Sequence, residues 1–135
     1  MGGWGKTRTP RLAAQYADEF NVPFAPQPAA YTAQLDAVRA ACEAADRDPG
    51  SLTWSAAVTV VCGEDEAAYA GRAAAIGRDP GELRTNAAAG TVSEVTDRLA
   101  GFVEAGAERL YLQVLDLRDL DHLRLLAAEV APALV

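Results

Sequence analysis

Residues 52–63 read LTWSAAVTVVCG. Strand alternation puts Leu52, Trp54, Ala56, Val58, Val60 and Cys62 on one side, and Thr53, Ser55, Ala57, Thr59 and Val61 on the other. The first side is apolar enough to carry helices. The second is small and half polar, which suits a barrel interior or a ligand-facing surface. Alternation of this kind also fits an antiparallel sheet, so the flanking segments must decide.

Upstream, Thr9 is placed to cap a helix whose first residue is Pro10, with Leu12, Ala13, Tyr16 and Ala17 sharing a face. Glu19 to Pro23, EFNVP, follows as a short strand stopped by proline. Pro26 and Pro28 then open a second helix, in which Tyr31, Leu35, Val38, Cys42 and Ala45 recur at helical spacing until Pro49 and Gly50.

Downstream, Glu64, Asp65 and Glu66 suit the first turn of a helix, EDEAAYAGRAAAIG, where they complement its dipole. A broken stretch, RDPGELRTNAAAG, comes next. Thr91 and Glu94 then form a capping box ahead of the stripe Val92, Val95, Leu99, Phe102 and Val103, which Gly106 ends. Glu108 to Leu115 reads as a buried strand. A last helix begins near Asp119 and is expected to turn Leu120, Leu123, Ala127 and Val130 inward, leaving His122 on the surface. The sum, α-β-α-β-α-α-β-α, indicates parallel strands joined by right-handed helical crossovers.

The chain has 135 residues, half of them hydrophobic, so one domain with its own core is expected over 1–135. Its 19 acidic against 12 basic side chains give a net charge of −7. The cations are scattered, which speaks against nucleic acid as a partner. No apolar run reaches the ~20 residues of a membrane span, and the start lacks the apolar centre of a signal peptide, so a cytoplasmic protein with no membrane partner is expected. Cys42 and Cys62 read as buried reduced thiols, and the single histidine argues against a zinc site or any other metal site.

The chain opens MGGWGKTRTP, a glycine-rich turn running into a helix. A phosphate loop of the GxxxxGK[ST] type would need a glycine five positions before Gly5, and a dinucleotide fingerprint would need glycine where Arg8 stands. Both fail. The run GGWGKTRTPRLAAQYADEFNVPF (residues 2–24), followed by AGTVSEVTDRLAGFVEAGAERLYLQVLDLRDLDHL (89–123), instead resembles the C-terminal part of the luciferase-like monooxygenase superfamily. It is most similar to the members that use the deazaflavin coenzyme F420, and the resemblance extends over essentially the whole chain.

What the resemblance implies is a partial (β/α)8 barrel, a fold that occupies ~250 residues when complete. The match begins where the family's fifth strand ends. Strands six (around Phe20 to Val22), seven (Leu52 to Cys62) and eight (Arg109 to Leu115) would be present with helices five to eight, and strands one to four would not. The loop after the fifth strand would then set Gly2, Gly3, Trp4, Gly5, Lys6 and Thr7 against the cofactor's phosphate, using backbone N–H groups and a helix start. Asn21, Thr59 and Gln113 would line the barrel near the C-terminal ends of their strands, close to cofactor or substrate. Tyr111 would pack in the lower barrel, and Gly90 and Thr91 would begin a capped helix with room for a second anion contact.

By the same resemblance the function is hydride transfer between F420, alternatively FMN, and a small organic substrate. No catalytic residue is named by it. The partner expected is a complementing N-terminal half or a second copy, and the alternative reading is a non-catalytic half-barrel that self-associates.

Overall fold

The computed structural model describes residues 1–134. In chain order the elements are α1 (Arg8–Tyr16), β1 (Glu19–Pro23), α2 (Pro28–Glu43), β2 (Thr53–Gly63), α3 (Glu66–Ala75), α4 (Pro80–Asn86), β3 (Ala88–Thr91), α5 (Val92–Glu104), β4 (Arg109–Gln113) and α6 (Leu120–Leu125). After α6 the chain continues through a widened turn over Leu126–Val130 and a tight one over Ala131–Leu134.

All strand pairs are parallel. The long strand β2 is the spine: Thr53 to Ala57 pairs with β1, Ser55 to Thr59 with β4, and Val60 to Gly63 with β3. The sheet is open. Beyond β1, Gly2 forms one further parallel bridge with Asn21, so the first residues run beside β1 in the same direction as every strand.

Two clusters pack on opposite faces. Trp54, Ala56, Val58, Val60 and Cys62 of β2 join Phe20, Val22, Tyr31, Leu35, Val38, Leu99 and Phe102 in the main core, beneath α1, α2 and α5. This is the helix-bearing side expected from the alternation. At the end of β2, Val61 points the other way and packs with Tyr69, Ala73, Leu83, Ala87 and Ala89. α3 and α4 therefore pack on the face opposite the main core at the C-terminal end of β2, while β3 lies in the sheet, with Ala88 in the main core and Ala89 in the second cluster.

Three expectations need correction. First, RDPGELRTNAAAG is not irregular: it holds α4, capped by Asp79, and the strand β3. An Ala-Ala-Gly-Thr strand has no β-branched signature before its last residue, and it becomes a strand by pairing with the end of β2. Second, α1 starts at Arg8 with Thr7 as its cap residue, and Pro10 falls within the first turn, where its missing N–H leaves no bond unmade. Third, the inward stripe of the last helical segment is His122, Leu126 and Val130, whereas Leu120 and Leu123 are exposed.

One core group lacks a partner. The Tyr31 hydroxyl is buried and accepts or donates no hydrogen bond, while its ring packs edge-on to Phe102 at 5.8 Å. Burial pushes its ionisation up to about 12, so it stays a neutral, unsatisfied group. Tyr31→Phe keeps the ring and removes the orphan. It is expected to stabilise the fold by about 1 kcal/mol, read as a raised urea midpoint with unchanged slope.

Candidate functional site

Parallel strands deliver their connecting loops to one end of a sheet, and here that end gathers the residues that follow Gly2, Pro23, Gly63, Thr91 and Gln113. The turn from Gly2 to Thr7 is held there by several bonds. Met1 O accepts from Asn21 N–H at 2.8 Å, and Gly3 N–H donates to Asn21 O at 3.2 Å. Trp4 Nε1 donates to Pro23 O at 2.7 Å, and Gln34 Nε2 to Gly5 O at 3.2 Å.

The glycines have separate reasons. Gly3 sits at φ 135°, which favours glycine, and a Cβ at Gly2 would strike the Asn21 carbonyl. The turn delivers the chain into α1 with no side-chain cap and no acidic residue in the first turn. The first-turn N–H groups of α1 thus have no side-chain acceptor of their own, and Lys6, Arg8 and Arg11 lie beside them in the sequence.

The start of α5 is different. Glu94 curls back to accept from Thr91 N–H at 2.7 Å and from the Thr91 hydroxyl at 3.0 Å. Hydrogen bonds from Arg84 and from the Thr91 backbone hold the Glu94 carboxyl down at about 2. That helix start carries its own carboxylate, so Gly90 and Thr91 act as a cap.

Of the barrel-lining residues, Thr59 and Gln113 are brought together. They are the last registered pair of β2 and β4, and Thr59 Oγ1 donates to Gln113 Oε1 at 3.0 Å. Asn21 lies at a different level of the sheet. It pairs with Ser55, four residues or roughly 13 Å before Thr59 along β2, and its Nδ2 donates to Ser55 Oγ at 3.0 Å. There it belongs to a lower polar layer. Glu19 accepts from Ser55 Oγ at 2.6 Å and from the Tyr111 hydroxyl at 3.0 Å, and pairs with Arg109. The Ser55 bond is the main reason its carboxyl is held below the usual range.

His122, expected on the surface, is 4% exposed. Asp119 caps α6 and turns the imidazole toward β2, where Nε2 accepts the Cys62 N–H at 2.9 Å. Arg72 locks the same corner, bonding Asp119 and Glu64 at 2.9 Å each and Cys62 O at 2.8 Å. Burial, helped by Arg72, pulls the His122 ionisation below its ordinary 6.5. Burial also pushes the Cys62 thiol up to about 11, so it is a packing group rather than a nucleophile.

A depressed histidine is neutral in the fold and protonates more readily in the unfolded chain. Stability is therefore unaffected above about 6.5 and falls as pH drops below it toward the folded value. The chain has one histidine, so the effect is assignable. The melting temperature is expected to fall between pH 7 and pH 5, and to fall less in His122→Gln, whose amide oxygen can take the same N–H.

No family model and no curated protein sequence matches this chain. Solved structures do. The coenzyme F420 dependent tetrahydromethanopterin reductase from Methanopyrus kandleri superposes with a TM-score of 0.73 at 15% identity, covering 100% of this chain and 50% of the reductase. An F420-dependent secondary alcohol dehydrogenase, solved with an F420–acetone adduct, gives 0.71 at 20% identity over 99% of this chain and 48% of its own. The EDTA monooxygenase from Chelativorans sp. BNC1 gives 0.74 at 19% identity over 98% and 45%. The fold is luciferase-like.

This chain spans about half the length of those luciferase-like structures. Its sheet is built of parallel strands and does not close on itself. Among the described residues no helix is long and apolar enough to cross a membrane, and no group of three or more His, Cys, Asp or Glu side chains is arranged to hold a metal ion.

Proposed function

We propose that residues 1–135 are the C-terminal portion of a luciferase-like oxidoreductase barrel, contributing strands six to eight as β1, β2 and β4, and binding coenzyme F420, or alternatively FMN, through its phosphate. The observation that carries this is the glycine turn. It runs parallel to β1 at the C-terminal end of the sheet and feeds an uncapped helix start with no acidic residue in its first turn. Those residues fit a phosphate: the donors are backbone N–H groups of Lys6, Thr7, Arg8 and Thr9, with the side chains of Lys6 and Arg8 adding positive charge.

When bound, such a cofactor supplies hydride transfer to or from a small organic substrate. This chain's residues orient and anchor. Gly2, Gly3 and Gly5 let the backbone approach, Trp4 pins the turn to Pro23, and Thr59 and Gln113 offer polar groups to the open face. Asn21 holds the turn through its backbone. The remaining wall of the site would come from a complementing N-terminal half.

Titrating FMN or F420 into the chain, alone and with such a half, tests the reading by cofactor fluorescence. Saturable quenching is expected, weakened about tenfold or more by Gly3→Ala, because an alanine there is strained whatever the space around it. Unchanged fluorescence in both mixtures defeats the reading.

A second reading, a half-barrel that self-associates without catalysis, is favoured by one feature. Among the described residues β4 pairs with β2 alone and presents its other edge unpaired. Light scattering at micromolar concentration in the same samples separates the two, since self-association alone gives a dimer that ignores cofactor.

A further inference from the structure

Most cations of this chain are already engaged. Arg39, Arg72, Arg84, Arg109 and Arg124 form ion pairs, and Arg47 and Arg98 give their guanidinium hydrogens to backbone carbonyls. Among the described residues, Lys6, Arg8, Arg11, Arg78 and Arg118 have no partner for their charged groups. The first three flank the start of α1. Arg78 and Arg118, forty residues apart in sequence, line one cleft of about 440 Å³ with Ala75, Ile76, Leu115 and Asp116.

That cleft lies between the end of α3 and the loop after β4, and none of its lining residues belongs to the glycine turn. Ala75, Ile76 and Leu115 supply the apolar part of its lining. One acid, Asp116, shares the lining with the two arginines and keeps its charge. Asp116 accepts the backbone N–H of Arg118 at 2.9 Å, while Glu64 and Asp119 are paired with Arg72. The closing carbonyls of α3 are tied as well, with Gly77 N–H to Ala74 O and Arg78 N–H to Ala73 O, both at 3.0 Å. Two guanidinium groups against one carboxylate, beside the side chains of Ile76 and Leu115, are suited to one oxyanion on an apolar body.

We infer that this cleft binds the anionic end of a small organic ligand, a carboxylate or a phosphate ester, with Arg78 and Arg118 as the anion contacts and Ile76 and Leu115 against the apolar part. The inference stands apart from the oxidoreductase reading, because no residue of the glycine turn lines this cleft. It is tested apart from the cofactor.

The experiment is an amide-resolved NMR titration of the 135-residue chain with benzoate, with phenyl phosphate, and with benzyl alcohol as the uncharged control. Benzoate or phenyl phosphate is expected to shift the amides of Ile76, Arg78, Leu115 and Arg118 saturably, and benzyl alcohol to bind at least tenfold more weakly. Whichever anion binds more tightly identifies the acid type. Both arginines are exposed, so Arg78→Gln, Arg118→Gln and the double variant should keep the remaining spectrum, with affinity falling stepwise and at least tenfold in the double variant. Equal binding of benzyl alcohol, shifts confined to residues 2–9, or affinity unchanged in the double variant would overturn the inference. Because FMN is read at residues 2–9 and the acids at residues 75–78 and 115–118, either site can fail without the other.

Discussion

Replacing Gly63 by alanine is expected to cost about 3 kcal/mol of stability, with the melting temperature falling by about 10 °C. Gly63 ends β2 and is buried where the chain turns into α3. An added Cβ would stand 2.6 Å from Asp65 O and 2.7 Å from Tyr69 Cα, and closer still to Tyr69 N. These are backbone atoms of a capped first turn, in which Asp65 Oδ1 accepts from Ala68 N–H and Asp65 O from Tyr69 N–H. No side chain can swing aside, so α3 itself must move. That shift would disturb the second cluster around Tyr69 and the Arg72 clamp on Cys62 and Asp119 together. Gly71→Ala is the matched control. Gly71 lies inside α3 with nothing within 4 Å of a new Cβ, and the change should stabilise by about 0.5–1 kcal/mol. A thermal melt in which both variants behave alike would show that the backbone approach at Gly63 is not tight.

Arg47→Ala is expected to cost about 2 kcal/mol, read from urea unfolding as a lowered midpoint. Its guanidinium reaches from the turn after α2 to the far end of α1. Nη2 donates to Ala17 O at 2.6 Å, Nη1 to Ala14 O at 3.2 Å and to Ala13 O at 3.4 Å, and Nε to Ser51 Oγ at 2.9 Å. It thus satisfies carbonyls that the helix end leaves open and places positive charge where the helix dipole favours it. Lysine offers a point charge without the planar fork, so Arg47→Lys should recover less than half of the loss. Because α1 carries the candidate phosphate site at its other end, Arg47→Ala should also weaken FMN binding. Arg47 would act there as a positioning residue, so the affinity should fall less than in Gly3→Ala.

The fold was legible where a residue's environment is set by its own neighbours in sequence. The alternation in 52–63, the proline stop at Pro23 and the capping box of Thr91 and Glu94 depend on local geometry, and each of these elements formed close to its expected bounds. β3 was missed because four small residues carry no pattern of their own. His122 was misplaced because a polar side chain reads as exposed until a buried N–H, here that of Cys62, is found to need it. The candidate site divides the same way. The glycines announced the turn, whereas the level of Asn21 depends on strand register, which one residue cannot reveal.

By itself, the sequence determined that this chain alternates helices with parallel strands and that its first residues make a backbone turn at a helix start, because periodicity and glycine act over a few residues. Only the tertiary structure decided that His122 is buried against β2, which face the α3–α4 segment covers, and that Arg78 and Arg118 share one cleft. Those outcomes follow from packing and pairing between segments tens of residues apart, and no local preference encodes them.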